Sequence, residues 1–434
     1  MRDLGRSDNP LVQRQLNRLS RLSLPQGRLG LETVTRLLAR LGDPQDRLPP
    51  VFHVAGTNGK GSTCAFLRAM LEADGKRVHA TISPHLVRYN ERIRLAGELI
   101  GDDHLASLLE EVLDAAAGLT PSFFEVTIAA AFLAFTREPA DACVVEVGLG
   151  GRLDATNVIG RPAVCGIAAL GLDHERFLLT PEAGTPTDPM ARIAFEKAGI
   201  AKPGVPLVTL SYGEAEMDTI SAVAARVGAR WLPQGHDWDM IGLPDFCAYR
   251  DGTHGGGVDV LHLPFPRLPG PHQIDNAGLA MAMLRHQDAV EISVDALDTG
   301  LLTATWPARL QRLRPGPLAG DRQVWLDGGH NLSAGKALAA HFGNRPLHLV
   351  IGMIEGKDPA ALTGPLGDAL ASIVAVPVPG HPSHPAHAFG PNARPTRDVA
   401  SALAMLPADG LPVLIAGSLY LAGEVLRLND EVPG

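Results

Sequence analysis

One ten-residue segment constrains this chain more than any other: His53-Val-Ala-Gly-Thr-Asn-Gly-Lys-Gly-Ser62. It follows the apolar pair Val51 and Phe52 and precedes a helix-like run from Thr63 to Ala73. A strand, a glycine loop and a helix start, in that order, bring backbone N–H groups and a positive helix end to bear on phosphate. Lys60 adds a cation suited to β/γ-phosphates. The loop departs from a strict Walker A sequence at two points. Val54 stands where the first glycine belongs, and Gly61 follows Lys60, so the hydroxyl arrives one residue late at Ser62.

Around this segment, apolar β-rich runs alternate with helical spacing. Strands are expected at 51–54, 78–82, 142–147, 163–168 and 206–210, with helices at 102–117 and 122–137. Such alternation predicts an α/β fold with a mainly parallel sheet covered on both faces. The glycine-rich stretch 237–263 reads as a small antiparallel appendage, followed by helices at 272–286 and 294–302. A second βα series then begins. Its expected strands are 323–326, 347–352, 372–376 and 413–416, with helices at 333–342, 396–406 and 419–426 and a Pro/His/Gly-rich loop at 376–395. A chain of 434 residues exceeds what one core supports, so two domains are expected, 1–304 and 305–434.

The net charge of −9 argues against a nucleic-acid partner, whose footprint is a basic excess. No apolar run approaches the roughly 18 residues a membrane helix needs, and the first residues lack the apolar region of a secretion signal. A cytoplasmic monomer is the expectation. Cys64, Cys143, Cys165 and Cys247 are widely spaced without a C-x-x-C pattern, and most read as small buried hydrophobes.

Polar residues recur where strands end, the place at which open α/β sheets bind ligands. Ser83-Pro-His follows the second strand. Glu146 interrupts the apolar run Cys-Val-Val-Glu-Val, and a carboxylate there is costly unless a cation neutralises it. Mg²⁺, held by few protein oxygens and by substrate phosphates, meets that need. Asp173-His174 and Lys197 follow later strands. In the second series Arg309, Asp327-Gly-Gly-His330-Asn331 and Lys357 mark similar positions. His381, His384 and His387 have an H-x-x-H-x-x-H spacing, but Pro382 and Pro385 exclude the helix that would present the rings together.

These motifs, in this order, resemble the dihydrofolate synthase/folylpolyglutamate synthase family, within the Mur-ligase-like ATP-dependent amide ligases. The resemblance runs from about 27 to 426 and rests on HVAGTNGKGS, SPHLVRYNERI, SFFE, EVGLGGRLDATNV, LDH, EKAGI, HQIDNA, WPARLQ, DGGHN and GSLYLAGEV. It implies an N-terminal P-loop ATPase domain, a C-terminal Rossmann-like α/β domain, and an active site in the cleft between them. The implied reaction phosphorylates a carboxylate of dihydropteroate and/or tetrahydrofolate with Mg·ATP, and L-glutamate then displaces phosphate to leave an amide.

By resemblance, Ser83, Glu146 and His174 match Mg²⁺ ligands, and Lys197 matches a lysine that is carbamylated. Thr57, Asn58, Gly59, Lys60, Gly61, Ser62, Asn276, Arg309 and Asp327 match ATP-binding positions. Lys60, Lys197 and His330 are the catalytic candidates. Arg28, Leu29, Ser122, Phe123, Phe124, Leu153, Asp154 and Ala155 match the substrate site. The stretch between His174 and Lys197 is longer than the family pattern and is expected to form a surface loop. The nearest alternative is a Mur-type ligase acting on a cell-wall precursor. A P-loop phosphotransferase or switch leaves DGGHN unexplained, and a non-enzymatic folate binder leaves Glu146 unexplained.

Overall fold

The computed structural model describes residues 7–22, 30–252 and 258–433. They form two compact units, Met1–Arg267 with Ile274–Thr305, and Leu268–Gln273 with Trp306–Gly434.

The first unit is built on eight strands: β1 (Val51–Ala55), β2 (Val78–Thr81), β3 (Ile93–Leu95), β4 (Glu98–Leu99), β5 (Ala142–Glu146), β6 (Val164–Ile167), β7 (Pro206–Thr209) and β8 (Arg230–Pro233). Their order is β4-β3-β2-β5-β1-β6-β7-β8. All neighbours are parallel except β2/β3 and β3/β4. Every residue of β1 and of β5 is buried, as a parallel strand covered on both faces requires. One core gathers Leu109, Val126, Phe132 and Val145, and another gathers Ile167, Ala194, Leu207 and Ile220. Val54 is in register with Glu146, and Ala55 with Ile167, so the loops leaving β5, β1 and β6 emerge side by side.

The appendage is a three-stranded antiparallel sheet of β9 (Trp238–Gly242), β10 (Cys247–Gly252) and β11 (Val258–Leu263). Several elements of this unit carry no counterpart in the sequence reading, among them the Pro10–Leu19 and Glu32–Arg40 helices, the β3/β4 hairpin, the Glu214–Val227 helix and β8. The hairpin turns through Ala96 (φ 50) and Gly97 (φ 96), a positive-φ pair with only one glycine to mark it.

The second unit has β12 (Gln311–Arg312), β13 (Val324–Leu326), β14 (Leu347–Ile351), β15 (Leu370–Ala375), β16 (Arg394–Pro395) and β17 (Val413–Ala416). Their order is β12-β13-β17-β14-β15-β16, parallel apart from β12/β13. The stretch expected to be all loop, 376–395, ends in β16 and includes a short Ala386–Phe389 helix. Pro395 cannot donate to a ladder, which suits a two-residue strand at the sheet edge. The expected helix at 396–406 is shorter, Val399–Met405, because Asp398 caps its start by accepting from Ser401 N at 2.7 Å.

The histidine triplet is dispersed. His381 stacks on Tyr420, and His384 Nε2 sits 2.8 Å from Lys357 O. Among the described residues no three His, Cys, Asp or Glu cluster to hold a metal, and no helix is long and apolar enough to cross a membrane. All four cysteines are buried.

Candidate active site

The phosphate loop keeps its shape through backbone geometry that glycine permits. Gly56 (φ 151) and Gly59 (φ 82) bracket it. A β-carbon on Gly56 would press on Ala168, and one on Gly59 would overlap the Asn276 side chain. Thr57 N and Asn58 N both donate to Ala169 O, at 2.8 and 3.1 Å, and Thr57 Oγ1 donates to Gly171 O at 2.9 Å. The loop is thereby fastened to the segment leaving β6. The Lys60–Ala73 helix starts after Gly59 with no side-chain cap, so its first turn presents N–H groups to an incoming anion. The Lys60 ammonium donates to Gly56 O at 3.0 Å and Thr57 O at 3.3 Å, which poises it at the loop mouth.

A small cleft opens here, lined by the loop (Gly56, Thr57, Lys60), the wall 148–150, Asp173, His174, Leu178 and Lys197. Lys197 is 3% exposed and donates to Gly56 O at 2.8 Å. Burial first, and the neighbouring Lys60 charge second, lower its pKa to about 7. His174 adopts a left-handed backbone (φ 53) at the start of the four-residue Glu175–Leu178 helix, and its N–H donates to Asp173 Oδ1 at 2.7 Å. On the adjacent strand, Glu146 closes β5 at 5% exposure and accepts from Ser83 N at 3.2 Å. Burial, and next the charge of Glu146, push the Cys64 thiol up, so the Glu146 carboxylate is felt by the phosphate-loop helix. A buried carboxylate beside a hydroxyl residue and a phosphate cradle fits a hard divalent cation that takes its remaining ligands from phosphate and water.

The sequence-expected substrate residues divide. Arg28 and Leu29 lie outside the described residues. Ser122 Oγ accepts from Glu125 N at 3.3 Å and caps the Phe123–Arg137 helix, with Glu125 returning a bond to Ser122 N at 2.7 Å. Phe123 stands 5.3 Å from the Arg92 guanidinium and edge-on to Tyr89. The tip of the Phe124 ring abuts Gly148, where a β-carbon would overlap it. That contact joins SFFE to the cleft wall.

Leu153 is partly buried and Ala155 fully buried, while Asp154 acts inside the protein. It accepts from Leu149 N at 2.8 Å, Thr156 N at 3.0 Å and Thr156 Oγ1 at 2.6 Å. The Thr156 hydroxyl, having donated its proton, accepts from His53 Nε2 at 2.9 Å. His53 is fully buried, and burial, followed by the Lys202 charge, lowers its pKa to about 3, so it is neutral. This chain runs from β1 to the 148–151 wall. Sequence reading missed His53 and Thr156 because neither ends a strand.

In the second unit, Asp327 holds its own loop, accepting from Leu310 N at 2.8 Å and Gly329 N at 2.7 Å. Arg309 lies between Ala308 (φ 55) and Leu310 (φ 46), two non-glycine residues in the left-handed region. Such backbone persists only where surroundings fix it, here in part through that Asp327 bond. His330 Nδ1 is 3.2 Å from Gly328 O.

Fold and cleft together define a two-unit α/β protein with a nucleotide-type phosphate loop. No family model matches the chain. Among curated proteins, it is 32% identical to the dihydrofolate synthetase of Saccharomyces cerevisiae over 93% of this chain and 98% of that protein. It is 33% identical to the dihydrofolate synthase/folylpolyglutamate synthase of Escherichia coli over 93% and 92%. Among solved structures, E. coli FolC in complex with DHPP and ADP superposes with a TM-score of 0.83 at 32% identity, covering 98% of both chains. A bifunctional folylpolyglutamate synthase/dihydrofolate synthase with Mn, AMPPNP and L-glutamate bound gives 0.82 at 31%, covering 98% and 99%. The chain belongs to the dihydrofolate synthase/folylpolyglutamate synthase family of ATP-dependent ligases.

Proposed function

We propose that this protein uses Mg·ATP to join L-glutamate to dihydropteroate, to tetrahydrofolate, or to both. The observation that carries this is the convergence of Lys60, Lys197 and His174 on one cleft walled by the phosphate loop, with Glu146 ending the adjacent strand. A carboxylate oxygen of the acceptor attacks the γ-phosphorus, the bond to the β-phosphate oxygen breaks, and ADP leaves. The glutamate amine then attacks the acyl carbon, loses a proton, and expels phosphate as the amide forms.

The chain's contribution is position and charge. The amides of 57–62 and the Lys60 ammonium hold the phosphates and offset the charge that develops during transfer. Glu146, Ser83 and His174 would hold Mg²⁺, which would supply positive charge to offset that of the phosphates. A lysine with a pKa near 7 has neutral amine available at physiological pH, the form that adds CO₂ to become a carbamate. Lys197 is suited to that change, which replaces a buried cation with an oxygen donor. The relatives support this reading: one is seen with DHPP and ADP, another with Mn, AMPPNP and L-glutamate. They also favour a folate acceptor over a cell-wall precursor.

The acceptor is tested by incubating the protein with Mg·ATP, radiolabelled glutamate and each acceptor in turn. Labelled amide from dihydropteroate, tetrahydrofolate or both is the expected result. No amide with either would sink the proposal, and product from only one defines a monofunctional synthase.

A further inference from the structure

The segment between His174 and the Pro189–Ala198 helix has little internal structure to hold it. Its one regular element among the described residues is the single turn Glu175–Leu178, and one turn is not stable without outside contacts. Yet His174 and Leu178 form a wall of the phosphate cleft, and Leu178 packs on Gly150 of the facing glycine wall.

Four charged side chains tie this segment down. Arg192 donates through Nε to Leu178 O at 3.1 Å and through Nη1 to the Thr185 hydroxyl. Glu182, in the middle of the loop, accepts from Arg152 Nη2 at 2.7 Å and lies 3.5 Å from Arg192 Nη2. Both arginines also grip Glu196, each at 2.9 Å. Arg152 comes directly after the glycine wall, and its N–H donates to Glu196 O at 2.7 Å. Glu196 in turn precedes Lys197. The loop expected to be a plain surface excursion is thus pinned to two other walls of the cleft. Three guanidiniums, from Arg152, Arg192 and Arg226, also stand 5.4 to 5.9 Å from the Phe195 ring. With Glu196 alone to offset them, that corner would carry an excess of positive charge.

We infer that Glu182 is a positioning residue of the phosphate cleft: bridging Arg152 and Arg192, it locks the His174–Leu178 wall against the glycine wall and the Lys197 helix, and so sets nucleotide affinity. This rests on the reading that the cleft holds the nucleotide phosphates. Glu182 lies on a loop and belongs to neither apolar core of the unit. Loss of its charge therefore loosens the wall and leaves the fold in place. Outer residues that orient ligand-holding groups change affinity by about 10-fold when removed.

The test is calorimetric titration with Mg·ADP, without acceptor, of the parent, Glu182→Gln, Glu182→Asp and Lys60→Ala. The Kd is expected to rise about 10-fold in Glu182→Gln and to return most of the way in Glu182→Asp, which keeps the charge. The Tm of Glu182→Gln should stay within about 3 °C of the parent, since a partly exposed ion pair on a loop contributes little to folding. An unchanged Kd, or a fall in Tm without a change in Kd, would assign Glu182 to the fold alone and overturn the inference. Undiminished Mg·ADP binding by Lys60→Ala would move the nucleotide out of this cleft and overturn both readings. Weakened binding in Lys60→Ala with unchanged affinity in Glu182→Gln overturns only this one.

Discussion

Lys60→Ala is expected to lower kcat with Mg·ATP by about 10²–10³-fold while leaving the circular dichroism spectrum unchanged. The effect is large because phosphoryl transfer asks little covalent chemistry of a protein and much charge neutralisation. The Lys60 ammonium rests only on two loop carbonyls, Gly56 O and Thr57 O, among its described hydrogen bonds. Those neutral acceptors hold it less firmly than a phosphate oxyanion would, so the cation transfers to substrate without breaking an ion pair. The fold survives because the loop's shape depends on Gly56, Gly59 and the bonds to Ala169 O, none of which uses this side chain. Steady-state kinetics check it, and activity within threefold of the parent would show that the phosphate site lies elsewhere.

Glu146→Gln is the second large effect, with an expected loss in kcat of similar size and an expected gain, or no change, in stability. The two signs together carry the meaning. Glu146 is buried at the end of β5, where a carboxylate carries a desolvation cost that a neutral amide carries less of. Glutamine keeps the shape and can still accept from Ser83 N, so the structural bond survives while the charge goes. If the charge is there for catalysis, turnover falls and thermal stability does not. A variant that lost stability in step with activity would mark Glu146 as part of the fold.

Much of this architecture could be read from the sequence because its signals are local. The strand–loop–helix at 51–73 and the polar residues at the ends of β2, β5 and β6 announce themselves as breaks in apolar runs. The Glu214–Val227 helix was also within reach: Ile220, Val223 and Ala224 share its buried face, and Gly228 (φ 72) terminates it. What could not be read depends on contacts between distant residues. Asp154 is a substrate candidate because it lies in a family motif, and that motif says nothing of its internal bonds. The structure shows it holding Leu149 N and Thr156, a task that only the return of the chain onto the glycine wall creates. Glu182 offered no signal either, since its arginine partners lie 30 residues before it and 10 after.

The transfer of oxygen from acceptor to phosphate tests the ligase reading most directly. Dihydropteroate, or tetrahydrofolate, carrying ¹⁸O in its carboxylate is turned over with Mg·ATP and L-glutamate, and the released phosphate is analysed by mass spectrometry. An acyl phosphate formed in this cleft delivers one ¹⁸O from the acceptor to each phosphate released with amide product. Amide product accompanied by unlabelled phosphate would contradict phosphorylation of the acceptor carboxylate.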